Sequence, residues 1–259
     1  MKKIILFFAF VACLNIAAFS YENTYAVIVG VSDYEDDGLD LNFAAKDARC
    51  FYNFLMSEAG GSVPAENICL LLDSDATRAN MIARSKELFS KAKKRDRAIF
   101  FFSGHGSTGY FLPTDYSYWE NTKFTYSDLK SVFRCAKCNT KLIFADACKS
   151  GALRGSRDAS DEDNLVLKDY NIAVMLSCKA DEYSLEIAGE GINQGLFTYY
   201  LIKGLSGEAN RDSSNYITIQ ELYYYVYRMV AEKADSKGCA QHPDIFGRFN
   251  LKLIVGKVL

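Results

Sequence analysis

Histidine and proline are scarce in this chain, with two of the first and three of the second among 259 residues. No proline- or glycine-rich linker divides the sequence, so it reads as one domain, and no internal repeat points to a solenoid. An excess of charge of one sign is also missing. Thirty Lys and Arg stand against 32 Asp and Glu, a formal net charge of −2, which argues against a broad nucleic-acid-binding surface. Beyond the first twenty residues no apolar run approaches the length of a transmembrane span. With 49% hydrophobic and 24% charged residues, the composition is that of a globular protein and not of a disordered one.

What is present begins at the amino terminus. Met1-Lys2-Lys3 precedes the apolar stretch IILFFAFVACL (residues 4–14), and AFS (18–20) puts small residues where a signal peptidase reads. This is the pattern of a secretory signal. Residues 1–20 are therefore expected to be a signal peptide and residues 21–259 the domain of an exported protein, periplasmic or secreted. Cys13, after FVA, offers an alternative as a lipid anchor, although a phenylalanine three before it fits poorly. Removal of the signal would leave seven of the eight cysteines. An odd count in an exported chain leaves one thiol over if the others pair.

Apolar segments alternate with segments of helical spacing. TYAVIVGV (24–31), NICLLL (67–72), RAIFFFSG (97–104), KLIFADAC (141–148) and YNIAVMLSC (170–178) read as buried strands, and NLKLIV (250–255) as a candidate last strand. Helical spacing falls within 39–61, 75–96, 125–133, 194–205 and 218–234, with Thr77 a candidate N-cap. Strands that are apolar throughout and alternate with helices imply an α/β fold, a mostly parallel sheet covered on both faces. Ligands of such sheets gather beyond the carboxyl ends of the strands. The polar stretch 149–169 lacks a helical stripe and reads as an exposed loop.

Two of those strand ends carry reactive side chains. His105 lies between glycines in FFFSGHGS, and Cys148 ends IFADAC, 43 residues later. A thiol and an imidazole are what a cysteine peptidase needs: the thiolate attacks a carbonyl, and the histidine protonates the leaving amine. The flanking glycines would let a substrate backbone approach. The N–H groups of Gly106 and Cys148 could hold the oxyanion.

These motifs, with YAVIVGVSDY, LNFAAKDARCF, MLSCKADEYSLE, QGLFTYYLIKGL and ITIQELYYYV in the same order, resemble the caspase and metacaspase family of cysteine peptidases over about residues 24–255. The resemblance implies a caspase-like three-layer sandwich and an endopeptidase with a Cys148–His105 dyad. It requires no organic cofactor, and its partner is a protein or peptide substrate. Caspases that cut after aspartate have glutamine two before the nucleophile; here that position is Asp146. By resemblance to metacaspases, Asp47, Ser103 and Asp146 would bind an Arg or Lys side chain of the substrate. Arg154 and Arg157, just after Cys148, are then candidate self-cleavage sites. Some metacaspases need calcium. Asp161, Glu162, Asp163, Asp181 and Glu182 are candidates, but they lack EF-hand spacing, and no metal is assigned.

Other readings stay open at this point. The domain could be a binding or scaffold member of the fold with weak or no turnover, or a peptidase that cuts after Asp. CAKC (135–138) has metal or redox spacing but no second pair, which favours a structural pair or a disulfide. His242, before Pro243, fits a surface or packing role. No oligomeric state is legible.

Overall fold

The structure is a computed structural model. It describes residues 22–258 apart from 108, 118, 121, 148–171 and 213. In chain order its elements are β1 (Thr24–Gly30), α1 (Ala44–Met56), β2 (Ile68–Leu72), α2 (Arg78–Phe89), β3 (Arg97–Ser103), β4 (Gly106–Ser107), β5 (Tyr110–Phe111), β6 (Phe124–Thr125), α3 (Tyr126–Cys135), β7 (Thr140–Asp146), β8 (Ile172–Leu176), β9 (Glu186–Ile187), β10 (Gln194–Gly195), α4 (Leu196–Lys203), β11 (Tyr216–Thr218), α5 (Ile219–Asp235), β12 (Asp244–Gly247) and β13 (Ile254–Lys257).

Six strands form the central sheet in the order β12-β8-β7-β3-β1-β2. All neighbours are parallel except β12, which runs antiparallel to β8 at the edge. Side chains alternate across the sheet. On β3, Ile99 and Phe101 join one buried cluster, with Phe51 of α1, Leu196 and Leu201 of α4 and Leu222 and Val226 of α5. Ala98, Phe100 and Phe102 join the other, with Met81 and Phe89 of α2 and Leu129 and Phe133 of α3. Helices thus cover both faces, in the three layers expected from the sequence. Aromatic rings tie the layers to β3: Phe51 stacks on Phe101 with centroids 4.6 Å apart, and Phe111 on Phe102 at 4.4 Å.

Thr77 caps α2 by accepting the Asn80 N–H at 3.2 Å, as its sequence position predicts. Elsewhere the structure differs from the expectation. The helix predicted within 39–61 is confined to Ala44–Met56, and Ser57 ends it by accepting Gly60 N–H and donating to Phe54 O. The last strand falls at Ile254–Lys257, not 250–255, and pairs with β11 outside the central sheet. The sixth central strand is instead β12, a half-exposed edge segment whose four residues show no apolar alternation. Cys135 and Cys138 form no disulfide; both are free thiols, as are Cys50, Cys69, Cys178 and Cys239. Among the described residues no helix is long and apolar enough to cross a membrane. The candidate signal peptide with Cys13, the nucleophile Cys148, the candidate cleavage sites Arg154 and Arg157, and the acids Asp161, Glu162 and Asp163 lie outside the described residues.

Candidate active site at the carboxyl end of the sheet

The register of β3 against β7 organises the site. Ser103 pairs directly with Asp146, and the Gly104 N–H continues the ladder to the Asp146 carbonyl at 3.1 Å. His105 is two residues past Ser103, and Cys148 two past Asp146, so the two chains leave neighbouring strand ends together. Ala147 is buried, and the Ser177 hydroxyl holds it at both its N–H and its carbonyl, each at 3.1 Å.

His105 is anchored on three sides. Its N–H donates to the Tyr34 hydroxyl at 2.8 Å, its carbonyl accepts from Leu112 N–H at 3.0 Å, and its Nε2 lies 2.8 Å from the Leu39 carbonyl. A carbonyl only accepts, so Nε2 carries the proton and Nδ1 is the nitrogen left for chemistry. The Tyr34 ring lies 5.3 Å from the imidazole, centroid to centroid. Gly104 has φ +156°, and a Cβ there would come within 2.9 Å of both the Tyr34 hydroxyl and the Phe102 ring. The first of the two glycines thus makes room for the tyrosine that holds His105, rather than for a substrate. The bond from Leu112 N–H to His105 O makes those two a bonded pair. By the alternation of an antiparallel ladder, the Gly106 N–H therefore points away from β5.

Asp47, Ser103 and Asp146, named from sequence, come together beside His105 in a cavity of about 30 Å³. Asp47 is 1% and Asp146 5% exposed. Asp47 accepts from the Ser103 hydroxyl at 3.0 Å and from Gly195 N–H at 3.0 and 3.2 Å. Asp146 accepts from Thr198 N–H at 3.0 Å, from the Thr198 hydroxyl at 2.7 Å, and from the Ser184 hydroxyl. A Cβ on Gly195 would meet Asp146 Oδ2 at 2.4 Å and Asp47 Oδ2 at 2.6 Å, so glycine is required there and the two oxygens lie within about 5 Å of each other. Burial and then the Asp146 charge push the Asp47 carboxyl well above the usual carboxylate range, against the pull of Gly195 and Ser103. Burial also raises Asp146, but Ser184 and Thr198 oppose it with three donors. Burial thus raises both carboxyls, and the donors around each oppose it.

Sequence reasoning missed the supporting residues. Gln241, fully buried, donates to Ser184 Oγ at 3.1 Å and to the Ser177 carbonyl at 3.0 Å, and accepts from Leu185 N–H at 3.0 Å. It ties both flanks of the site together, and nothing in its local sequence marks it. Glu186 also lines the cavity. His242 lies away from this cavity and bonds Glu182 through Nδ1 at 2.6 Å. Among the described residues no group of three or more His, Cys, Asp or Glu is arranged to hold a metal ion.

A family model described as the caspase domain matches residues 23–254. A probable protease of a Desulfuromonadales bacterium is 25% identical over 220 residues, covering 72% of this chain and 26% of that protein. The chain thus spans about a quarter of that relative's length. Among solved structures, caspase-1 of Spodoptera frugiperda superposes with a TM-score of 0.65 at 17% identity, over 92% of this chain and 91% of the other. A Geobacter sulfurreducens protein superposes with a TM-score of 0.61 at 16% identity, over 92% of this chain and 100% of that one.

Proposed function

The chain belongs to the caspase-domain family of peptidases, and from that premise we propose that it is a cysteine endopeptidase cutting after Arg or Lys with a Cys148–His105 dyad. The observation that supports this reading is the β3–β7 register, which pairs Ser103 with Asp146 and so brings His105 beside a buried pair of carboxylates.

In the proposed reaction His105 Nδ1 takes the proton of the Cys148 thiol, the thiolate attacks the scissile carbonyl carbon, and the carbonyl π electrons move to oxygen. The N–H groups of Gly106 and Cys148 stabilise that oxyanion. Collapse of the intermediate breaks the C–N bond, and His105 gives the leaving amine a proton from Nδ1. Water then hydrolyses the thioester: His105 takes its proton, and Cys148 leaves as thiolate. Leu39 and Tyr34 hold the imidazole in one tautomer and orientation through both turns.

Specificity follows from charge. An acidic side chain entering beside Asp47 and Asp146 would be repelled by their negative charge, whereas a guanidinium would be attracted by it. Self-cleavage after Arg154 or Arg157 and export through residues 1–20 belong to the same proposal and rest on the sequence.

Hydrolysis of matched fluorogenic peptides ending in Arg, Lys or Asp tests it, with Cys148→Ala beside the wild type. Cleavage after Arg and Lys that is lost in Cys148→Ala is the expected result, and amino-terminal sequencing of the active enzyme should find fragments starting at residue 155 or 158. Cleavage after Asp overturns the pocket. Absence of turnover with every peptide favours a binding role for the domain.

A further inference from the structure

Strand β3 opens on a charge. Its seven residues, Arg97–Ser103, are all buried, and Arg97, at the amino end, is 7% exposed. By the alternation of a strand it faces the same side of the sheet as Ile99 and Phe101, the side covered by α1, α4 and α5. Arg97 Nε donates to the Thr24 hydroxyl at 3.2 Å, and Nη1 donates to the Val255 carbonyl at 2.9 Å. Both acceptors are neutral, so neither bond cancels the charge of the guanidinium.

Arg97 lines a cavity of about 450 Å³ at this end of the sheet. Small-molecule sites have volumes of about 300–1,000 Å³. Phe51 and Phe54 of α1, Ile99, and Leu142 and Phe144 of β7 form apolar walls, and β13 and the segment 59–64 after α1 contribute to the rest. Protein interiors pack as densely as organic crystals. A space of this size bordered by core side chains is more than packing leaves over, and it matches a binding site. Two further lining residues are charged, Glu22 and Lys257. Both are exposed, and Glu22 pairs at 3.1 Å with Arg95, which does not line the cavity. The walls are therefore apolar with a cationic end.

We infer that this cavity is a second ligand site, for a single-chain amphipathic carboxylate. The apolar chain lies along Phe51, Phe54 and Phe144, and the carboxylate meets Arg97. A hydrogen-bonded clip joining β1, β3 and β13 would account for Arg97 alone, but it would need no cavity beside it. Such a ligand would not choose the candidate active site, where Asp47 and Asp146 line the cavity and repel an anion. The two cavities lie at opposite ends of β3, whose first and last residues are about 20 Å apart at strand spacing.

Decanoate is the probe, with decan-1-ol as its neutral counterpart and decyltrimethylammonium as its cationic one. Calorimetry on the full chain, below the micellar range of each probe, compares wild type with Arg97→Gln, Arg97→Lys and Ala59→Trp, and a melting curve checks the fold of each. Ala59 is half-buried in the cavity wall, so tryptophan there fills the space without displacing the core. Wild type should bind decanoate at least about tenfold more tightly than decan-1-ol, and the cation most weakly. Arg97→Gln should weaken decanoate about tenfold and leave decan-1-ol within about twofold, while Arg97→Lys keeps the preference for the anion. Ala59→Trp should weaken both about tenfold. Folded wild type that does not bind decanoate overturns the inference. So does decanoate binding that Ala59→Trp leaves unchanged, which places the ligand elsewhere. Equal wild-type affinity for decanoate and decan-1-ol overturns it as well, since Arg97 then plays no part. Should Arg97→Gln fail to fold, the three probes on wild type and Ala59→Trp still decide.

Discussion

A carboxyl group 1% exposed and close to a second one is held against its own electrostatics. Asp47 meets burial and the Asp146 charge together, and both raise its pKa. In the unfolded chain it ionises in the ordinary carboxylate range. Its folded pKa is higher, so folded protein binds the proton more tightly, and stability falls as pH rises from the ordinary range through the raised value. Asp47→Asn removes that dependence while its amide oxygen can still accept from Gly195. It should raise stability at neutral pH by roughly 1 kcal/mol, about 2–4 °C in melting temperature for a domain of this size, and the gain should vanish under acid. The same proton competes with substrate. For an Arg-ending peptide, wild-type KM should fall as pH rises through the raised pKa of the pair, and Asp47→Asn should lose most of that dependence. Paired melting curves and KM–pH profiles check both outcomes. Asp146→Ala is the less informative change, because it strands the donors of Thr198 and Ser184, at about 1–3 kcal/mol for each buried group left unpaired.

At the scale of elements, helix starts divide into two kinds. Those of α3 and α5 are capped locally: Thr125 and Asp128, and Thr218 and Glu221, form reciprocal capping boxes. The start of α1 takes its acceptors from distant residues, Ser32 for the Ala45 N–H and Glu186 of β9 for the Phe43 N–H. The first kind serves folding alone, while the second joins folding to the site. Thr218→Ala should therefore lower stability by about 1 kcal/mol in urea unfolding while leaving KM and kcat for an Arg peptide unchanged. The local caps are legible because partner and helix lie within four residues, as Thr77 already was. The cap of α1 is not, because Glu186 lies in a two-residue strand with no pattern of its own.

For the molecule as a whole, the parallel sheet decides where chemistry gathers. Strands β1, β3 and β7 end side by side, and their exits carry Tyr34, His105 and Asp146 to one rim. The antiparallel edge strand β12 extends the sheet next to β8. Two apolar clusters, one on each face, hold this arrangement without cross-links: the six described cysteines are all free thiols. Thiol titration of the denatured protein should give the same count before and after reduction. A higher count after reduction would show that disulfides form in the chain after all.

The sequence alone determined the alternation of strands and helices, because apolar runs and helical stripes are local signals. It also marked His105 at a strand end, and its resemblance to metacaspases pointed to Asp47, Ser103 and Asp146. The supports of those residues were decided only by tertiary structure. Tyr34 reaches His105 across 71 residues, Leu39 across 66, Ser184 reaches Asp146 across 38, Thr198 across 52, and Gly195 reaches Asp47 across 148. A hydrogen bond needs two groups at one point in space, and separations of that kind leave no periodicity for a sequence to display. Chemistry-bearing residue types were therefore readable along the chain, while the geometry that tunes them came from the way the sheet and its hairpins close on one another.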